Sequence, residues 1–218
     1  MQSPKEKTDQ KVKKPSRSGR EKAFYIAGIG ASAGGLEAFE KFFKAMPENS
    51  GIGFIVVSHL DPSHVTLLPE LLQKYTKMKV LLITDRLTVE PNMVYIAPPM
   101  YDLGILNGML HLIEPMEKVV PRLCIDGFFK TLAQDRKEKA IGIILSGMGA
   151  DGTAGLKEIK NELGLTVAQS PETASASSMP TSAIRTGIVD IIASPENMPE
   201  KSLLMQLMPA KYRIKRFR

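Results

Sequence analysis

The sequence has little of several things that would otherwise define a protein. Among 218 residues there is one cysteine, Cys124, no tryptophan and three histidines. A single cysteine excludes an intrachain disulfide and any cysteine-based metal cluster, and it suits a reducing cytoplasm, the compartment expected here. No uninterrupted apolar stretch approaches the roughly 20 residues that cross a bilayer, and the first residues are polar, so neither membrane insertion nor a secretory signal is expected. No repeat of 20–50 residues is present, which argues against a solenoid. Basic character is also scarce where it would matter. The net charge of +6 resides in the ends. Met1–Lys22 carries eight Lys/Arg against three Asp/Glu, Lys211–Arg218 carries five cations and no acid, and the stretch between them is acidic by four charges. Without a basic, aromatic-studded surface in its body, the chain is not expected to bind nucleic acid.

What remains is ample core material, 43 % hydrophobic residues, within a length that a single α/β unit can use. Residues 1–22, without aromatics and rich in Lys, Ser and Pro, read as a disordered basic segment. Residues 23–210 read as one catalytic domain, and 211–218 as a basic tail or linker. Strands are expected at Phe24–Ile29, Ile52–Ser58, Val80–Ile83, Met93–Ala97, Ile141–Ser146, Thr166–Gln169 and Val189–Ala193. Helices are expected at Leu36–Met46, Val65–Tyr75, Cys124–Lys137, Thr153–Leu163, Thr181–Arg185 and Pro199–Met208. Ile105–Leu110 reads as a hairpin turning on Asn107-Gly108. Near-continuously apolar strands interleaved with amphipathic helices indicate an α/β fold: a mostly parallel sheet with helices on both faces, plus an antiparallel hairpin.

In such a sheet, functional groups gather where loops leave the carboxyl ends of strands. Three loops carry chemistry there. Gly30-Ala31-Ser32-Ala33-Gly34 sets a serine at a sharp bend between strand and helix, as a nucleophile requires. Ser58-His59-Leu60-Asp61-Pro62 brings an imidazole to the end of the second strand. Gly147-Met148-Gly149-Ala150-Asp151-Gly152 brings a carboxylate. A serine hydroxyl needs an imidazole to take its proton, and a carboxylate on the far ring nitrogen fixes the tautomer. The N–H of Ala33 and one from Gly147–Gly149 are placed to receive an oxyanion. Each residue also has an ordinary reading. His59 is a polar loop residue, His64 an alternative base near a helix start, and His111 a structural residue of the hairpin. Asp151 would cap the helix starting near Thr153, in which case Asn should replace it freely.

The order Ser…His…Asp differs from that of the α/β-hydrolases, which run Ser…Asp/Glu…His. Together, Gly28–Gly35, Ser58–Pro62, Tyr95-Ile96-Ala97-Pro98-Pro99, Gly142–Gly152, Val167-Ala168-Gln169 and Met179–Ile184 resemble the catalytic domain of CheB-type chemotaxis protein-glutamate methylesterases. The resemblance implies Ser32 as nucleophile, His59 as base, Asp151 as orienting acid, and Ala33 and Met148 as oxyanion-site residues. It implies hydrolysis of glutamate γ-methyl esters on the cytoplasmic part of chemoreceptors with release of methanol, and in some members deamidation of receptor glutamines. No metal or organic cofactor is implied.

The sequence departs from that pattern in places. No receiver domain precedes Phe24, and the first domain of a methylesterase–methyltransferase fusion fits as well. The match loosens at Pro121–Asp126, and Ser175-Ala176-Ser177-Ser178 replaces a glycine-bearing approach to Met179-Pro180. Two other readings stay open: a receptor-binding module that has lost catalysis, and a dinucleotide-binding domain using Gly28, Gly30 and Gly34. The second lacks an acidic residue at the end of the second strand, where Ser58 and His59 stand.

Overall fold

The computed structural model describes residues 24–58, 67–115 and 123–206. Seven strands form one parallel sheet in the order β10-β9-β8-β1-β2-β5-β3. They are β1 (Tyr25–Ala31), β2 (Ile52–Ser58), β3 (Lys79–Leu82), β5 (Met93–Ile96), β8 (Ala140–Ile144), β9 (Leu165–Gln169) and β10 (Ile191–Ala193). β1 is central. It pairs with β2 on one side, Ala31 opposite Ser58, and with β8 on the other, Gly30 opposite Ile144. The expected α/β fold with helices on both faces is therefore present.

Successive residues of a strand point to opposite faces, and β1 divides its side chains accordingly. Ala27, Ile29 and Ala31 join a core with Phe39, Phe42 and Phe43 of helix α1 (Gly35–Ala45). Leu68 and Leu72 of α2 (Leu68–Gln73) and Met198 and Met205 of α6 (Met198–Gln206) complete that side. Ile26 faces the other core, with Phe128, Phe129 and Leu132 of α3 (Cys124–Arg136). Leu156 and Ile159 of α4 (Thr153–Asn161) and Met179 and Ala183 of α5 (Ser178–Arg185) lie on this side as well. Gly28 and Gly30 also face α3. A Cβ on Gly28 would lie 2.8 Å from the Phe129 ring, and one on Gly30 would lie 2.6 Å from Ile125 Cγ2. These glycines let a helix seat directly on the central strand.

The hairpin is present as β6 (Asp102–Leu106) and β7 (Met109–Ile113). Asn107 and Gly108 have φ of 52° and 75°, the left-handed pair that a type I′ turn needs. A strand not expected from the sequence, β4 (Leu87–Thr88), adds to β7 and makes a three-stranded antiparallel sheet. That sheet packs over α3, where Ile105 N–H donates to Thr131 Oγ1 at 3.2 Å and Gly108 N–H to Asp135 Oδ2 at 3.1 Å.

Several boundaries move for identifiable reasons. β8 ends at Ile144 because the backbone N–H of Ser146 turns to a side chain, Gln169 Oε1, at 2.8 Å. β10 starts only at Ile191, since Asp190 bends back to accept from Thr166 N–H at 3.0 Å and to pair with Lys160. α5 begins at Ser178, three residues earlier than expected. The expected helix starting at Val65 appears from Leu68; residues 65–66, the segments 1–22 and 211–218, and the expected end of the last helix at Met208 lie outside the described residues. No helix among the described residues is long and apolar enough to cross a membrane.

Candidate active site

Because β2, β1 and β8 are neighbours in register, their carboxyl ends open onto one stretch of the sheet edge. Ser32 follows the last residue of β1 and is half-buried. Its carbonyl accepts from Gly35 N–H at 2.9 Å, closing the turn into α1. Gly34 makes that turn with φ of 72°, in contact range of Ser146 and Ser175, where a Cβ would lie 2.6 Å from Ser175 Cβ and 2.7 Å from Ser146 Oγ. Both glycines around Ser32 thus have a steric duty: Gly30 admits α3, and Gly34 supplies the left-handed turn. That duty explains the Gly28, Gly30 and Gly34 spacing without a phosphate to bind.

The loop after β8 lies against Ser32. Ser32 N–H donates to Ser146 O at 2.9 Å, and a Cβ on Gly147 would lie 3.0 Å from Ser32 Cβ. Any side chain at 147 would press on the serine. Met148 follows, 69 % exposed, and Ala33 is exposed as well. Ser32, Ala33 and the Gly147–Met148 segment are therefore brought together. The same loop is held from behind by the 175–178 segment, the serine-rich departure noted above. Gly147 N–H donates to Ala176 O at 2.9 Å, Met179 N–H to Gly147 O at 3.0 Å, and Gly149 N–H to Ser178 Oγ at 3.1 Å.

Asp151 is only 4 % exposed, and its side chain does not do what its position beside Thr153 suggests. The N-cap of α4 is Gly152, with φ of 87° and no side-chain cap. Asp151 instead reaches the start of α3. Its Oδ2 accepts from Ile125 N–H at 3.0 Å and its Oδ1 from Asp126 N–H at 2.9 Å, with Gly152 N–H at 2.8 Å also on Oδ1. Asp126 returns the favour in reverse, its Oδ1 accepting from Gly155 N–H of α4 at 2.7 Å. Neither N-cap residue, Leu123 of α3 or Gly152 of α4, makes a side-chain cap; instead α3 is capped by Asp151 from the loop before α4, and α4 receives Asp126 from α3. The ordinary reading of Asp151, as a cap of its own helix that Asn would replace freely, is corrected here. An amide would set an NH2 against one of the three N–H donors.

This exchange places two carboxyl groups close together. Burial pushes the Asp126 carboxyl above the ordinary carboxylate range, partly offset by the Gly155 N–H, and the negative charge of Asp151 pushes it further.

His59 and His64 both fall in 59–66, outside the described residues. His111 lies in β7, its Nδ1 4.0 Å from Asp85 Oδ1, within the small sheet and not at the end of a parallel strand. Three residues of the site's surroundings escaped the sequence reading: Ser146, Gln169 and Asp126. The first two had a usable signal, a polar residue ending an otherwise apolar strand; both are buried, at 1 % and 2 % exposure. Asp126 stands in the first turn of α3, where an acid is favoured, but its partner is a different helix.

Comparison with known proteins bears on this geometry. Residues 27–202 match the family model of the CheB methylesterases. A provisionally named protein-glutamate methylesterase/protein-glutamine glutaminase of Leptospira interrogans is 35 % identical over 173 residues, covering 79 % of this chain and 90 % of that protein. The protein-glutamate methylesterase/protein-glutamine glutaminase of Pyrococcus abyssi is 33 % identical over 178 residues, 79 % of this chain but 48 % of that longer protein. Among solved structures, the CheB methylesterase catalytic domain of Thermotoga maritima superposes with a TM-score of 0.76 at 30 % identity, over 84 % of this chain and 98 % of that one. With the parallel sheet, the serine turn at β1 and the glycine-rich loop at β8 all in place, the chain belongs to the CheB methylesterase family.

Proposed function

We propose that the protein hydrolyses γ-methyl esters of glutamate on the cytoplasmic domains of chemoreceptors, with Ser32 as nucleophile, His59 as general base and Asp151 as the acid that orients it. The observation that carries this reading is the seating of Ser32. It leaves β1 at a turn flanked by the ends of β2, whose last residue Ser58 directly precedes His59 in the sequence, and of β8, which leads into the loop carrying Asp151.

The chemistry follows from the residue types. His59 takes the Ser32 proton as Oγ attacks the ester carbonyl carbon. The tetrahedral oxyanion is received by the N–H groups of Ala33 and Met148. Collapse breaks the C–O bond to the methoxy group, which takes the proton from His59 and departs as methanol. Water, deprotonated by His59, then attacks the glutamyl-Ser32 ester, and the glutamate carboxylate and the serine hydroxyl are regenerated. With glutamine in place of the ester, ammonia leaves instead, which is the glutaminase reaction in the relatives' names. Residues 23–210 form the catalytic unit in this reading, working in the cytoplasm.

Methanol release from methylated receptor tests it. Ser32→Ala removes one half-buried hydroxyl and little packing, so the fold should persist while turnover falls on the order of 10⁶-fold. A variant that kept a tenth of the wild-type rate would remove Ser32 as nucleophile.

A further inference from the structure

We propose that Ser146 is a positioning residue for catalysis, fixing the distance between the two oxyanion donors, Ala33 N–H and Met148 N–H. This inference rests on Ser32 acting as the nucleophile.

Ser146 is 1 % exposed, and each of its polar groups is engaged with a different part of the site. Its carbonyl accepts from Ser32 N–H at 2.9 Å. Its hydroxyl donates to Ala33 O at 2.8 Å, with Ala176 O further off at 3.3 Å, and accepts from Ala176 N–H at 2.9 Å. Its own N–H donates to Gln169 Oε1, whose Nε2 is in turn anchored on Thr173 O at 2.9 Å. A hydroxyl has one proton to give, and here it is committed to the carbonyl just beyond the nucleophile.

The consequence is geometric. Ser32 N–H and Ala33 C=O flank the Ser32–Ala33 peptide, and Ser146 holds both. The N–H of that peptide is the first proposed oxyanion donor. The residue after Ser146 is Gly147, lying against Ser32, and the next supplies the second donor. One residue thus ties the two donors into a single frame, its backbone bonding Ser32 and Gln169 while its hydroxyl bonds Ala33 O and Ala176 N–H. Oxyanion donors contribute only when they are held at hydrogen-bond distance from the place where charge develops. Displacing one by an ångström is enough to lose about 10²-fold in rate.

None of these bonds touches substrate, so the loss should fall on turnover and not on docking. In the full chain acting on methylated receptor, Ser146→Ala should lower kcat by about 10- to 100-fold per titrated active site, with KM within about twofold. The rate at which a small fluorophosphonate labels Ser32 should fall in parallel. Ser146→Thr, which keeps the hydroxyl, should recover most of the rate. Ser146→Cys, a weak donor of similar size, should fall between Thr and Ala, and it reports the same ranking if the alanine variant does not fold. A purely structural serine would reduce the number of folded sites and leave the rate at each one unchanged. A kcat per site within twofold of wild type for Ala, or for Cys where Ala does not fold, overturns the proposal. So does a threonine variant no better than cysteine. Retention of activity by Ser32→Ala would overturn the nucleophile assignment as well, and that variant separates the two failures.

Discussion

The loop after β8 holds the site at two places and by two kinds of bond. At its start, Ser146 holds the Ser32 turn through neutral hydrogen bonds of its carbonyl and hydroxyl, and is itself held by the Gln169 amide side chain. At its end, Asp151 holds the start of α3 through two N–H groups, with Gly152 N–H as a third on the same carboxylate, and Asp126 answers from α3 to α4. Among the described residues, the hydrogen bonds that join Ser32, Ala33 and Ser146 involve no ionisable group. The acid side is built from two carboxyls, one of them buried at 4 % exposure and the other raised in pKa. The two ends should therefore respond differently to pH and to removal of charge. Carboxylates facing helix N-termini are stabilised by the unpaired N–H groups there, so the Asp151 side gains in rigidity what it yields in pH tolerance.

Asp151→Asn should have the largest effect within this comparison. Removing the charge deprives His59 of its orienting partner in the proposed mechanism, and turnover should fall by up to about 10⁴-fold. The amide also faces one cap donor with an NH2, and loss of a cap costs about 0.5–2 kcal/mol. For a chain of this size that corresponds to a fall of about 1–8 °C in melting temperature. Turnover must be read well below that temperature. A folded Asp151→Asn protein with near wild-type turnover would make Asp151 a helix cap and no more, and the two ends of the loop would no longer share a catalytic purpose.

Asp126→Asn should have a smaller effect, and it sharpens the contrast through pH. The folded protein keeps Asp126 protonated to higher pH than an unfolded chain does. Its contribution to stability is thus fully present below the ordinary value, about 3.9, and is lost as pH rises through the raised one. Asparagine never ionises. The melting temperature of Asp126→Asn relative to wild type should therefore be more favourable at pH 7 than at pH 4, within about 3 °C. A difference that is flat with pH, or that reverses, would show that burial and the Asp151 charge do not raise the Asp126 carboxyl. Ser146→Ala, with no charge in play, should show no comparable pH trend in stability.

Most of the frame was readable from residue order because it depends on local rules. Alternation and apolar runs in Phe24–Ile29 and Ile52–Ser58 report strands buried on both faces, and Asn107-Gly108 reports a hairpin, since few other residues take φ above zero twice in succession. The turn that carries Ser32 was legible for the same reason: a serine between glycines at the end of an apolar run is a local signature. What escaped depends on partners distant in sequence. Ser146 meets Ala33 across 113 positions, and Asp151 meets Ile125 across 26. A carboxylate two residues before Thr153 reads as that helix's cap unless it is known that another helix starts beside it. β4, two residues long, is specified by pairing with β7 and carries too little pattern of its own to announce a strand.

The central claim is that adjacent strand ends deliver nucleophile and base to the same carbonyl, and fluorophosphonate labelling of Ser32 reads this most directly. The chain and its His59→Ala and His64→Ala variants would be compared by the rate at which a phosphonyl adduct forms on the peptide containing Ser32. If His59 is the base, the wild type labels at Ser32, His64→Ala labels at close to the same rate, and His59→Ala labels slower by about 10²-fold or more. Equal slowing in both variants, or an adduct on a peptide without Ser32, would contradict the account.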